Sequence, residues 1–175
     1  MSVAPHRNVL PQWLSPLKLA AQGVVLKGVV LQKQMLRLAD ALTSVDTPIS
    51  VYLHFYCDDF GFRIASGQVT AQVRLYCQRC MQEMEQVIAA DVRWAIVANE
   101  EKMKALPKDY DPWVLVDGEG DLHAIIEEEL LLALPIVAFH DMDNCGGDQR
   151  YSTGNVVELD KKKNPFEALR ELKLR

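Results

Sequence analysis

A chain of 175 residues, 49% hydrophobic and 25% charged, has the composition of an ordinary globular protein and is long enough to bury a core within one domain. Its net charge of −5 excludes the strongly basic class that coats nucleic acid through phosphates alone, while leaving room for a local basic patch or a basic protein partner. No apolar run is long enough to span a membrane, since the longest, 130–139, contains Pro135, and the N-terminus has no signal-peptide apolar region. The expected compartment is therefore the cytoplasm, where Cys57, Cys77, Cys80 and Cys145 read as metal ligands, core residues or redox thiols rather than disulfides.

The pattern predicts a single α+β domain over 1–160, with 1–14 a loosely ordered lead-in and 161–175 a basic C-terminal tail. Ser15-Pro16 with Leu17 and Ala21 predicts a short helix over 16–21 that ends at Gly23. Val24 to Val30 reads as a strand broken at Gly28. Met35, Leu38, Ala39 and Leu42 then set a helical period over Gln32–Thr43.

From Pro48 the period changes to two. Ile49, Val51, Leu53, Phe55 and Cys57 alternate with polar residues, which predicts a strand with Cys57 on the buried face as a core thiol and His54 on the surface. A turn at Asp58–Gly61 leads to a strand that runs to Gly67, and Val69 to Cys77 alternates again. Residues 83–97 predict a long strand with Ile88, Ala90, Val92, Trp94 and Ile96 inward. After a polar connection with one helical turn near Glu100–Leu106 come a short strand at Trp113–Val116 and a turn. Asp121 caps a helix to about Leu134. Its run Glu127-Glu128-Glu129 reads as a solvated face, or as an acidic patch for a basic partner. Pro135 ends that helix, and Ile136–Phe139 is extended. Asn164-Pro165 opens a short helix with Phe166, Leu169 and Leu172 on one side.

The four-residue turn Cys77-Gln78-Arg79-Cys80 joins two antiparallel strands. Two thiols at this spacing fit one metal ion, one reactive dithiol, or two small buried side chains at a hairpin end. A thioredoxin-like dithiol sits between a strand and a helix, and no helical period follows Cys80. With His140 and Cys145 the pair completes a Cys3His set for structural zinc, drawn from distant parts of the chain. Basic side chains that could touch RNA or a partner are Arg74 and Arg79 beside the knuckle, and Lys161, Lys162, Lys163, Arg170 and Lys173 in the tail. No Walker, Rossmann or nucleophile-elbow motif is present.

The pieces C-Q-R-C at 77–80, A-L-P-K-D-Y-D-P at 105–112, the D-L and E-E-E-L-L-L-A-L-P segment over 121–135, F-H-D followed by Cys145, and N-P-F-E-A-L-R-E-L-K at 164–173 occur in this order. In that combination the chain resembles the bacterial YceD family, the large ribosomal RNA subunit accumulation proteins. The resemblance implies a non-enzymatic role in the synthesis, processing or stability of large-subunit ribosomal RNA, with that RNA, its precursor or a basic ribosomal protein as partner. It implies no catalytic residues. Relatives from other bacterial groups and from plastids carry several cysteines after the leucine-proline segment, where a zinc site is suspected. This chain has His140 in place of the first of them and lacks their further Cys-x-x-Cys continuation. It is thus expected either to retain zinc as Cys3His or to have lost the site and to hold its fold by apolar packing. Two other functions stand beside ribosomal RNA binding. One is a zinc-stabilised protein adaptor without RNA contact. The other is a thiol oxidoreductase using Cys77 and Cys80, which needs an accessible thiolate of low pKa.

Overall fold

Alternating apolar and polar residues from Pro48 onward build a five-stranded sheet that carries most of the chain. The computed structural model describes residues 8–44, 46–104, 106–141 and 145. In chain order the elements are β1 (Trp13–Leu14), α1 (Pro16–Gln22), β2 (Val25–Leu31), a 3-10 turn over Gln32–Gln34, α2 (Leu36–Ala41), β3 (Pro48–Cys57), β4 (Arg63–Tyr76), β5 (Glu83–Val97), α3 (Glu100–Met103), β6 (Asp111–Val114), β7 (Gly120–Asp121) and α4 (Leu122–Ala133). The large sheet has the order β2-β3-β4-β5-β6. Its neighbours are antiparallel except β6, which runs parallel to β5 after the crossover through α3. A two-residue ribbon pairs β1 with β7. This is the α+β architecture that the sequence predicts.

The register is unbroken across β2 to β5, so one face collects every second residue of each strand. Val30, Ile49, Val51, Leu53, Phe55, Val69, Val73, Val92 and Trp94 all fall on that face and are buried. Helix α4 lays Leu122, Ile126 and Leu130 on the same core, and Ala20 of α1 joins it. Each such large aliphatic or aromatic side chain contributes about 1.5–3 kcal/mol of burial.

The lead-in differs from expectation over its described part, 8–14. Leu10 N donates to Val29 O and Val29 N to Asn8 O, at 2.9 Å each, so this segment flanks the edge strand. The same contact explains why Gly28 leaves β2 unbroken. A Cβ at this position would lie 2.4 Å from Asn8 O and 2.6 Å from Leu10 Cδ2, and only glycine admits the crossing backbone. Gly67 is likewise internal to β4, which runs as one strand of 14 residues.

The helix expected over Gln32–Thr43 is divided at Met35, whose backbone is extended (φ −111°, ψ 92°). Gln32 is the reason. Its side chain is buried and its Nε2 donates to Thr47 Oγ1 and Gln72 O, both at 2.9 Å, which holds the turn against β4. Cys57 is exposed, contrary to its expected place in the core. Alternation puts it on the correct face, but it is the last residue of β3 and lies beyond the core cluster. Its Sγ meets only Ala20 O at 3.7 Å and Arg63 Nη1 at 3.6 Å among the described contacts.

The acidic run of α4 also departs from the solvated-face reading. Glu127 is buried, accepts from Leu38 N at 3.0 Å and pairs with Arg37 Nε at 3.1 Å. Glu129 accepts from Trp94 Nε1 at 2.8 Å. Only Glu128 is exposed, with Arg37 Nη2 at 3.6 Å. Two of the three carboxylates are therefore internal fasteners, which removes most of the acidic docking patch. Glu127→Ala strands a backbone donor at the start of α2 and is expected to cost about 1–3 kcal/mol. Glu127→Gln, which keeps an acceptor, should cost less. Urea unfolding with an unchanged slope reads the difference.

Candidate metal centre

Strand β4 delivers Cys77 to the end of the hairpin, and the loop to β5 folds tightly around it. Cys77 N donates to Gln82 O and Met81 N to Cys77 O, both at 2.9 Å. Met81 takes a left-handed backbone (φ 59°), which turns the chain after Cys80. Cys77 is buried and Cys80 half-buried.

The other half arrives from the segment after α4. Pro135 stops that helix, and Ala138 O accepts from Gln78 N at 2.8 Å, which pins the returning chain to the knuckle. His140 N then donates to Cys77 Sγ at 3.5 Å. Cys145 N donates to Asp141 O at 3.1 Å, a turn that brings its thiol back to the cluster. The result is that Cys77, Cys80, His140 and Cys145 place their ligand atoms within 4.8 Å of one another.

The spacing fits a small tetrahedral ion. Zinc–sulfur bonds of about 2.3 Å and zinc–nitrogen bonds of about 2.0 Å set ligand atoms about 3.5–3.8 Å apart. Cys77 Sγ and Cys145 Sγ are 3.9 Å apart, and Cys80 Sγ and His140 Nδ1 are 3.4 Å apart. His140 Nε2 lies 3.3 Å from Glu83 O. A proton on Nε2 donated to that carbonyl leaves Nδ1 as the free lone pair facing the sulfurs, the arrangement that orients metal-binding histidines.

Charge points the same way. Burial is the largest influence on Cys77 and opposes its ionisation. The backbone N–H groups of His140, Cys80 and Arg79, with the Cys80 thiol, outweigh burial and bring Cys77 down to about 5. These donors favour its thiolate. For Cys80 the Gln82 backbone N–H is the largest influence and favours the thiolate, yet burial and the Cys77 and Cys145 sulfurs push this thiol upward. The sulfurs thus resist ionising together, and a cation among them removes that conflict. Arg79 supplies part of the positive charge. Its Nε donates to Cys145 Sγ at 2.9 Å and its Nη2 to His140 O at 3.2 Å, and the Cys145 bond holds the guanidinium above its ordinary range.

The expected ligand set is therefore assembled in space. Of the basic side chains expected to meet RNA or a partner, the two among the described residues have partners within the chain. Arg79 turns onto the sulfurs, and Arg74 Nε and Nη2 both bind Glu85 Oε1, its cross-strand partner, at 3.0 and 2.9 Å. Lys161, Lys162, Lys163, Arg170 and Lys173 lie outside the described residues, as does the expected domain boundary at 160/161. Sequence reasoning missed Arg79 as a partner of sulfur, although its place between two cysteines is a usable signal. It had no means of finding the Glu83 carbonyl, since backbone acceptors leave no mark in sequence.

Among the described residues no helix is long and apolar enough to cross a membrane. A family described as "Large ribosomal RNA subunit accumulation protein YceD" matches residues 65–173, a stretch that holds all four ligand candidates. The Large ribosomal RNA subunit accumulation protein YceD of Haemophilus influenzae is 34% identical to this chain over 167 residues, which cover 94% of the chain and 96% of that relative. No solved structure matches.

Proposed function

The chain belongs to the YceD family, the large ribosomal RNA subunit accumulation proteins, and from that membership we propose that it supports the accumulation of large-subunit ribosomal RNA by binding in the cytoplasm, without a catalytic step of its own. The observation that carries this reading is the 34% identity to a relative of that name along 94% of the chain. The Cys3His knuckle supports it. Four protein ligands close a zinc site and leave no position for a substrate, so zinc held by Cys77, Cys80, His140 and Cys145 would fasten the chain after α4 to the hairpin. An oxidoreductase would need an accessible dithiol, whereas Cys77 is buried and Cys145 and His140 stand against the pair.

The test has two parts. Depletion in cells should lower large-subunit ribosomal RNA relative to the small-subunit RNA, and unchanged levels would overturn the reading. Affinity purification of the full chain in mild salt, with crosslinking, should recover large-subunit ribosomal RNA or its precursor. Recovery of ribosomal proteins with no crosslinked RNA would replace RNA binding by the adaptor role.

A further inference from the structure

The five-stranded sheet has two faces, and helices α1 and α4 join the core on one of them. By register, the opposite face is built from the intervening residues; it is covered at the end that holds Ile64 and Ala95, both buried, and exposed beyond it. One row across four strands reads Lys27, Tyr52, Gln68 and Asp91, and the next reads Val25, His54, Ser66 and Arg93. None of these belongs to the core cluster. Tyr52 is 45% exposed, and Lys27, His54 and Arg93 are exposed beside it.

This face has an unusual composition for a surface of an acidic protein. Tyr52, His54 and Tyr56 form a column of rings at every second residue of β3, and His54 stacks on Tyr56 at 5.0 Å between centroids. Lys27 Nζ lies 4.7 Å from the centroid of the Tyr52 ring. Arg93 lies 4.6 Å over the Tyr110 ring, and its Nη2 donates to the Tyr110 hydroxyl at 3.2 Å, so its guanidinium is held against that ring. Across the two rows the charges are Lys27 and Arg93 against Asp91, a local balance of +1 in a chain of net charge −5. Asp91 is itself engaged by Gln68 Nε2 at 2.9 Å.

Tyr52 and His54 are each packed on one side, by Lys27 and by Tyr56, and stay exposed to solvent; exposed rings with cations beside them and short polar side chains between them suit unpaired bases. Bases stack on the rings, phosphates pass the cations, and base edges meet the hydroxyl and amide groups. A duplex buries its base faces and offers nothing to stack. A folded protein partner would be expected to meet an apolar centre, and here the centre is polar apart from the rings. We propose that the open sheet face centred on Tyr52 and His54 binds a single-stranded segment of RNA. This rests on the RNA-binding reading above and assigns the contact to the sheet rather than to the knuckle arginines, which are bound to Glu85 and to the sulfur cluster.

The experiment is an anisotropy titration of the full chain with a short single-stranded RNA of mixed sequence and with the same sequence as a duplex. The wild type should bind the single strand and discriminate against the duplex. Tyr52→Ala and His54→Ala should each weaken single-strand binding by about 5- to 150-fold, the range for loss of one stacked base, while Tyr52→Phe stays within about twofold. Lys27→Ala should lower the slope of log affinity against log salt by about 0.7. Because these side chains are exposed, unchanged thermal midpoints will show that the variants fold. Wild-type affinity in the Tyr52→Ala/His54→Ala double variant, or equal binding of duplex, would overturn the proposal. Those results leave the depletion phenotype untouched, whereas unchanged ribosomal RNA on depletion removes the functional reading itself.

Discussion

Trp94→Ala is expected to lower the unfolding free energy by about 3–5 kcal/mol, a large share of the roughly 5–15 kcal/mol that holds a domain together. Trp94 is fully buried near the far end of β5 and meets Trp113 edge-on, with centroids 5.5 Å apart at 69°. Trp113 in turn contacts Phe55, so one truncation loosens a row of three rings across β3, β5 and β6. Nε1 of Trp94 donates to Glu129 Oε1 at 2.8 Å, and removing the indole also strands a half-buried carboxylate. Trp94→Phe separates the two contributions. It keeps most of the ring and loses the donor, and should cost about 1–3 kcal/mol. Urea unfolding followed by circular dichroism measures both. A loss below about 1.5 kcal/mol in Trp94→Ala would mean that the ring row is not the centre of the core.

Removing zinc is expected to produce the second large effect, and a graded one. Protein purified without chelator should hold about one zinc per chain, and Cys77→Ser or Cys145→Ser should hold much less. At free zinc 100-fold above the dissociation constant, binding stabilises the folded state by about 2.7 kcal/mol, which for a chain of this size is roughly 5–11 °C of thermal midpoint. Stripping with a chelator should lower the midpoint by that amount without abolishing the cooperative transition, because the core around Leu53, Phe55 and Trp94 does not depend on the knuckle. A midpoint unmoved by chelation, together with no zinc by elemental analysis, would mean that the four side chains hold no ion.

The contrast between these predictions follows what the sequence made legible. Strand β3 and β5 up to Trp94 were readable because each buries one face there, so a period of two appears directly in Ile49–Phe55 and Ile88–Trp94. Helix α4 was readable at both ends, since Asp121 Oδ1 accepts from Ala124 N and Pro135 follows its last turn. The ligand set was legible because metal-binding residue types are few, and their side chains name their chemistry. What could not be read depended on partners distant in the chain. Gln32 breaks a helical period only because Gln72 and Thr47 wait for it. Glu127 looks like a surface residue until Leu38 N is placed opposite it. Cys57 follows the alternation correctly, yet burial depends on what lies above a face, and at the end of β3 the core does not reach it. The parallel pairing of β6 with β5 leaves no local signature at all.

The bond between Cys80 and His140 spans 60 residues, and this separation has a consequence in time. Ribosomes add about 5–20 residues per second, so a chain that has just exposed its hairpin waits about 3–12 s for the histidine, and Cys145 completes the cage only after it. The antiparallel pairs β2 to β5 precede that moment in the chain and can form meanwhile. During the interval Cys77 and Cys80 are a bare dithiol on a nascent chain, open to oxidation or to capture of a stray soft metal ion. The order of synthesis therefore makes the last segment a lock that closes on whatever the first segment already holds.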